Sequence, residues 1–225
     1  MLKAIIFDAY GTLFDTGTGS VDAAAEILEK CGRNDIAPKD FYARWKQLHR
    51  KHIDELVDFV CEEEIFHRDL KRLYAEYGID SDADRDVQIM LSRQGTRIPY
   101  PETKSVLDKL RGRYMLFTGS TTDTVPLLKD IARAGLMFDN VFTSQSLGVY
   151  KPVPEFYEKI LIKTGLEANE VLFVGDSLID DVKGPHTVGM KTCWVNRKNG
   201  IAGDEKPEFI VSDLNGLPDI ADSIV

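Results

Sequence analysis

The chain begins with an apolar run, Ala4 to Phe7, that stops at Asp8 and is followed by Gly11. Runs of the same kind recur at Tyr114 to Phe117, Val141 to Phe142, Val171 to Val174, Thr192 to Val195 and Phe209 to Val211. Short apolar runs without polar alternation predict strands buried on both faces of a parallel sheet. Between them, helical periodicity covers Ser105 to Arg111, Val125 to Ala134, Pro154 to Thr164 and Asp180 to Val188. Strand and helix in alternation predict a doubly wound α/β layer structure, whose ligands gather at the carboxyl ends of the strands.

The stretch from Thr16 to Ile98 has a different rhythm. Val21 to Cys31, Phe41 to Val60 and Ile65 to Tyr77 repeat with helical spacing and contain no convincing strand. It reads as an all-helical insert, 16–98, in an α/β core made of 1–15 and 99–225. Asp40 is placed to cap one of its helices and Gly78 to end another, and Pro99 and Pro101 mark the return to the core.

Composition narrows the function classes. A chain of 225 residues, 43% hydrophobic, can bury a full core. Its net charge of -9 and pI near 5.0 argue against nucleic acid and for a small-molecule substrate. Cys31, Cys61 and Cys193 show no ligand spacing and are expected as buried free thiols, which fits a reducing cytosol and a cytoplasmic protein. The opening MLKAIIFDAY breaks too early for a signal peptide or a membrane span. His49, His52, His67 and His186 lack metal spacing and are read as surface or packing residues, and Trp45 as packing within the helical insert or facing the site entrance.

Chemistry collects at the strand ends. Asp8 follows the first run with Gly11 and Thr12 just beyond, Thr118 follows the second, Lys151 the third, and Gly175-Asp176 with Asp180 the fourth. In a parallel sheet these positions converge on one rim. FDAYGTL (Phe7 to Leu13), Thr118, Lys151-Pro152 and GDSLID (Gly175 to Asp180) resemble, in order and spacing, the four motifs of the haloacid dehalogenase superfamily. The resemblance implies a Rossmann-like core with strand order 5-4-1-2-3, the helical insert as its cap, and hydrolysis through a covalent aspartyl intermediate. Asp8 would be the nucleophile. Thr118 and the groups near Gly119 and Ser120 would hold anionic oxygens, and Lys151 would neutralise charge on nucleophile and substrate. Mg²⁺ would be held by Asp8, Asp176 and the backbone carbonyl of Tyr10, with Asp180 on a metal-bound water. Asp181 is read as a charge at a helix start.

Two features point to different branches of that superfamily. Tyr10 stands where its phosphatases carry an acid-base aspartate, and FDAYGTLFD, the segment Arg44-Trp45-Lys46-Gln47-Leu48 and Thr192 to Arg197 are similar to the L-2-haloacid dehalogenases. There, Arg44 would grip a substrate carboxylate with its guanidinium fork. Asp176 points the other way: the dehalogenases need no metal, and a second carboxylate beside Asp8 would blunt the nucleophile unless a cation offsets it. The expected activity is therefore a Mg²⁺-dependent phosphatase for a small phosphorylated metabolite. The alternatives are a metal-independent L-2-haloacid dehalogenase and, from another class, a noncatalytic binding module. The chain is expected to work without nucleic acid or membrane, as a monomer or homodimer.

Overall fold

A computed structural model of the chain describes residues 1–224. They form two compact units: Met1–Asp15 with the chain from Ile98 onward, and Thr16–Arg97.

The first unit is built on a parallel sheet of β1 (Ala4–Phe7), β4 (Met115–Ser120), β5 (Asn140–Thr143), β6 (Val171–Gly175), β7 (Lys191–Val195) and β8 (Phe209–Val211). Its order is β5-β4-β1-β6-β7-β8; with the five longer strands counted one to five along the chain and read from β7 to β5, they run 5-4-1-2-3, and β8 is added outside β7. A two-residue ribbon, β2 (Phe14–Asp15) against β3 (Ile98–Pro99), lies where the chain leaves and re-enters this unit. Helices α5 (Thr103–Leu110), α6 (Thr124–Ala134), α7 (Ser144–Leu147), α8 (Pro154–Thr164), α9 (Gly184–His186) and α10 (Leu217–Ser223) connect or follow the strands.

Side chains alternate across each strand, and both faces are covered. Ile5, Phe7, Leu116, Leu172 and Val174 join one core with residues of α5, α6 and α10, while Ala4, Ile6, Phe117 and Phe173 join a second with Phe156, Tyr157 and Ile160 of α8. This two-sided burial is why the strands read as unbroken apolar runs. Each large side chain withdrawn from water contributes about 1.5–3 kcal/mol. In the register, Phe7 lies beside Thr118 and Val174. The next residues along these strands reach one rim together.

The second unit is all helical: α1 (Gly19–Lys30), α2 (Pro38–Asp54), α3 (Glu62–Tyr77) and α4 (Ala83–Leu91). α1 and α3 each pack on α2 and α4 around Ala24, Ile27, Phe41, Trp45, Leu73 and Val87. Trp45 is a core residue of this unit. Gly78 ends α3 in the left-handed conformation, φ 62°. Asp40 caps nothing: Ala37 holds the N-cap position, Pro38 starts α2, and Asp40 lies within its first turn. α2 also stops before Val60, because its buried face ends near Leu48 and Val57 is 97% exposed. Cys193 is buried, but Cys31 and Cys61 are only half-buried; all three are free. Among the described residues, no helix is long and apolar enough to cross a membrane.

Candidate active site

Asp8 is the first residue past β1, buried, with its N–H donated to the Val174 carbonyl at 2.8 Å. The chain then folds into a tight loop in which the N–H groups of Leu13 and Phe14 both reach the Ala9 carbonyl at 2.9 Å. Gly11 has φ +99°, which side-chain-bearing residues rarely adopt. A Cβ there would lie 2.5 Å from Asp176 Oδ2, so glycine also lets this loop touch the Asp176 carboxylate.

Lys151 is one of the largest fully buried side chains. Its Nζ lies 2.8 Å from Asp8 Oδ1 and 2.7 Å from Asp181 Oδ1. It also sits 5.4 Å from the centre of the Phe173 ring. Burial alone would lower the pKa of the ammonium, but the charges of Asp181 and Asp8 outweigh burial and hold it well above its ordinary value. Asp181 is fixed from its other side, since Oδ2 accepts the Ser177 N–H at 2.9 Å. Gly175 makes room for it: a Cβ there would fall 2.2 Å from the Asp181 carboxyl.

Asp176 completes the acidic group. Carboxylate oxygens of Asp8, Asp176 and Asp181 lie within 4.8 Å of one another. Burial, and then the charge of Asp8, push the Asp176 carboxyl up to about 6. All three border a cavity of about 160 Å³ whose wall also includes Tyr10, Ser120, Thr121 and Ser177. The Thr121 hydroxyl is buried without a hydrogen-bond partner. A buried carboxylate at a strand end, a buried ammonium in contact with it, an adjacent carboxylate pair and the unpartnered Thr121 hydroxyl form a set that can bind an anionic, electrophilic group and supply an attacking oxygen.

Residues 2–189 match the family of haloacid dehalogenase-like hydrolases. The chain belongs to this family. This hydrolase is 31% identical over 207 residues to pyrimidine 5'-nucleotidase PynA of Streptococcus pneumoniae, covering 86% of this chain and 84% of that protein. It is 29% identical over 226 residues to haloacetate dehalogenase H-2 of a Moraxella species, covering 96% of each. Its fold matches that of L-2-haloacid dehalogenase from Xanthobacter autotrophicus with chloropropionic acid covalently bound, with a TM-score of 0.81, 22% identity and both chains covered in full.

Several residues of the hydrolase lie elsewhere than the sequence suggests. Thr118 is fully buried inside β4, where its hydroxyl donates to the Phe142 carbonyl at 3.4 Å, and Gly119 pairs with Phe142. Because β4 continues through Ser120, neither is on the cavity wall, and Ser120 and Thr121 take that place. Tyr10 borders the cavity, but its hydroxyl donates to Asp130 on α6 at 2.9 Å. Arg44 spends its fork within the helical unit, on Glu76 at 2.7 and 3.0 Å and on Gln47 at 3.3 Å.

The acidic tail of the fourth motif folds into an uncommon turn. Residues Leu178–Lys183 form a π-helical turn capped by Ser177, whose Oγ accepts the Asp180 N–H at 3.1 Å. The wider turn carries Asp181, not Asp180, onto Lys151. Asp180 stays half-buried at the cavity edge, its carbonyl accepting the Tyr157 hydroxyl at 2.5 Å. Tyr157 is fully buried on α8 and went unnoticed in the sequence, although its place six residues after Lys151, at helical spacing from Pro154, was available as a signal.

Proposed function

We propose that this hydrolase is a Mg²⁺-dependent phosphohydrolase of small phosphorylated metabolites. The observation that carries the reading is charge: three carboxylates cluster within 4.8 Å of one another with one ammonium, on Asp8 and Asp181, to offset them, two negative charges in excess when all are ionised. Such a cluster is costly without a cation, and an all-oxygen donor set suits a hard divalent ion. Asp8, Asp176 and the backbone carbonyl of Tyr10 would hold it. When bound, the ion supplies Lewis-acid stabilisation of phosphoryl charge.

The protein's own residues do the rest. Asp8 attacks phosphorus and displaces the leaving-group oxygen to form an aspartyl phosphate, which water then hydrolyses to inorganic phosphate and the free Asp8 carboxylate. Lys151, 2.8 Å from Asp8, offsets the charge of the entering phosphoryl group. Ser120 and the partnerless Thr121 hydroxyl donate to its oxygens. Asp181 holds Lys151 in place. The similarity to a 5'-nucleotidase at 31% identity supports a phosphoryl substrate.

A second reading, dehalogenation of a short 2-haloacid, is favoured by Tyr10 in the first motif and by the similarity to haloacetate dehalogenase H-2. Arg44, engaged by Glu76, supports it less than its sequence context suggests. Hydrolysis of p-nitrophenyl phosphate or acetyl phosphate with Mg²⁺, stopped by EDTA, is the expected result. Metal-independent chloride release from 2-chloropropionate would overturn it.

A further inference from the structure

Strand β7 carries none of the residues that line the cavity, yet its end reaches both carboxylate-bearing loops. The Trp194 indole Nε1 donates to the backbone carbonyl of Asp176 at 3.0 Å. Three residues later, Arg197 Nη2 donates to the carbonyl of Thr12 at 2.8 Å, in the loop that follows Asp8. The same nitrogen is 2.7 Å from Glu102 Oε1, and the guanidinium lies 3.6 Å from the centre of the Tyr100 ring. The segment holding these two side chains is itself closed: Asn196 and Gly200 exchange hydrogen bonds of 2.9 and 2.7 Å, and the Asn196 N–H reaches the Val211 carbonyl of β8 at 2.7 Å.

Both contacts are made to backbone, so they set where a loop lies and leave the carboxylates free to act. The two anchored loops meet at Gly11 and Asp176, where like charges would otherwise drive them apart. We propose that Trp194 and Arg197 are positioning residues that fix the spacing of Asp8 and Asp176 for a divalent cation. The inference rests on the Mg²⁺ reading above. Mg²⁺ demands near-ideal octahedral geometry, so a carboxylate displaced by a fraction of an ångström loses affinity.

The test is calorimetric titration of MgCl₂ into the full chain as wild type, Trp194→Phe and Arg197→Gln, with near-UV circular dichroism and melting temperature recorded on the same samples. The expected result is Mg²⁺ binding by wild type that weakens about 10-fold in each folded variant, the lower end of what outer contacts contribute to metal sites. Variants that melt earlier but bind Mg²⁺ as wild type does would reduce both residues to structural packing and overturn the proposal. Should Trp194→Phe not fold, the titration of Arg197→Gln, whose side chain is partly exposed, decides alone. A wild-type chain that binds no Mg²⁺ brings down the metal reading itself, and this outcome is distinct from tight binding in all three proteins.

Discussion

The Tyr10 hydroxyl donates to the buried carboxylate of Asp130, 2.9 Å away, and that bond takes the phenol out of proton transfer at the cavity. A leaving group then departs with little help from this position. General acid catalysis is typically worth 10²–10⁴-fold, so substrates whose leaving groups need no proton gain an advantage of about that size. We expect kcat/KM for acetyl phosphate to exceed that for a simple alkyl phosphate by about 10²-fold or more. Tyr10→Phe should change kcat by less than about 3-fold, since it removes a hydroxyl that does not serve the reaction. Phosphate release assays check both; equal rates on the acyl phosphate and the alkyl ester would mean that another group supplies the proton.

Asp181 borders the cavity with both carboxylate oxygens engaged, one by Lys151 and one by the Ser177 N–H, and Lys151 depends on it. Replacing it with Ala leaves the buried ammonium with Asp8 as its one remaining partner among the contacts at 2.7 and 2.8 Å. Breaking one side of a buried ion pair costs about 3–5 kcal/mol, and urea unfolding of Asp181→Ala should show a loss of that order. Asp181→Asn retains an acceptor for the Ser177 N–H and should lose less. Both should lower kcat, through a misplaced Lys151, more than they raise KM.

Asp181 also shows where reading the sequence stops. Two adjacent aspartates follow Gly175-Asp176, and no periodicity rule chooses between them. A regular helix and a π-turn point different residues inward, and the π-turn is set by tertiary contacts such as Tyr157 on the Asp180 carbonyl. Arg44 is similar: its partner Glu76 is 32 residues away on another helix. Helix α4 escaped because Asp82, Asp84 and Asp86 interrupt its apolar rhythm. Asp86 is nevertheless buried, ringed by Lys30, Arg85, Ser81 and Tyr74. The sheet strands, by contrast, were legible because a strand covered on both faces must be apolar throughout, and Asp8 and Asp176 stood out as charges at the ends of such runs; Lys151 lies farther on, past α7 and eight residues beyond the end of β5.

Gly11 links the loop after Asp8 to Asp176, and alanine there meets two obstacles. Its φ of +99° lies outside the range comfortable for a side-chain-bearing residue, and the new Cβ would press on the Asp176 carboxylate at 2.5 Å. Gly11→Ala should cost about 1–3 kcal/mol of stability and reduce hydrolase activity by at least about 10-fold. Urea unfolding and initial rates at saturating Mg²⁺ measure the two effects separately.

The helical unit carries its own pH dependence. On α2, His49 Nδ1 lies 2.8 Å from Asp69 Oδ2 and its Nε2 lies 3.5 Å from Glu62 Oε1; both carboxylates come from α3. His52 of α2 reaches the other Asp69 oxygen, and the Phe66 ring packs 4.7 Å from the His49 ring. Burial alone would lower the imidazole pKa, but Asp69 and Glu62 outweigh burial and raise it from 6.5 to about 9. A raised folded-state pKa means the folded protein binds the proton more tightly than the unfolded chain. The resulting stability is fully present below pH about 6.5 and is lost as pH rises through about 9. At about 1.4 kcal/mol per pH unit, the contribution is roughly 3 kcal/mol. Urea unfolding of wild type and His49→Phe at pH 6 and pH 9.5 isolates it, because other titrating groups cancel in the difference. The gap between the two proteins should shrink by about 2–3 kcal/mol at the higher pH; a gap unchanged by pH would mean that His49 is neutral in the folded protein.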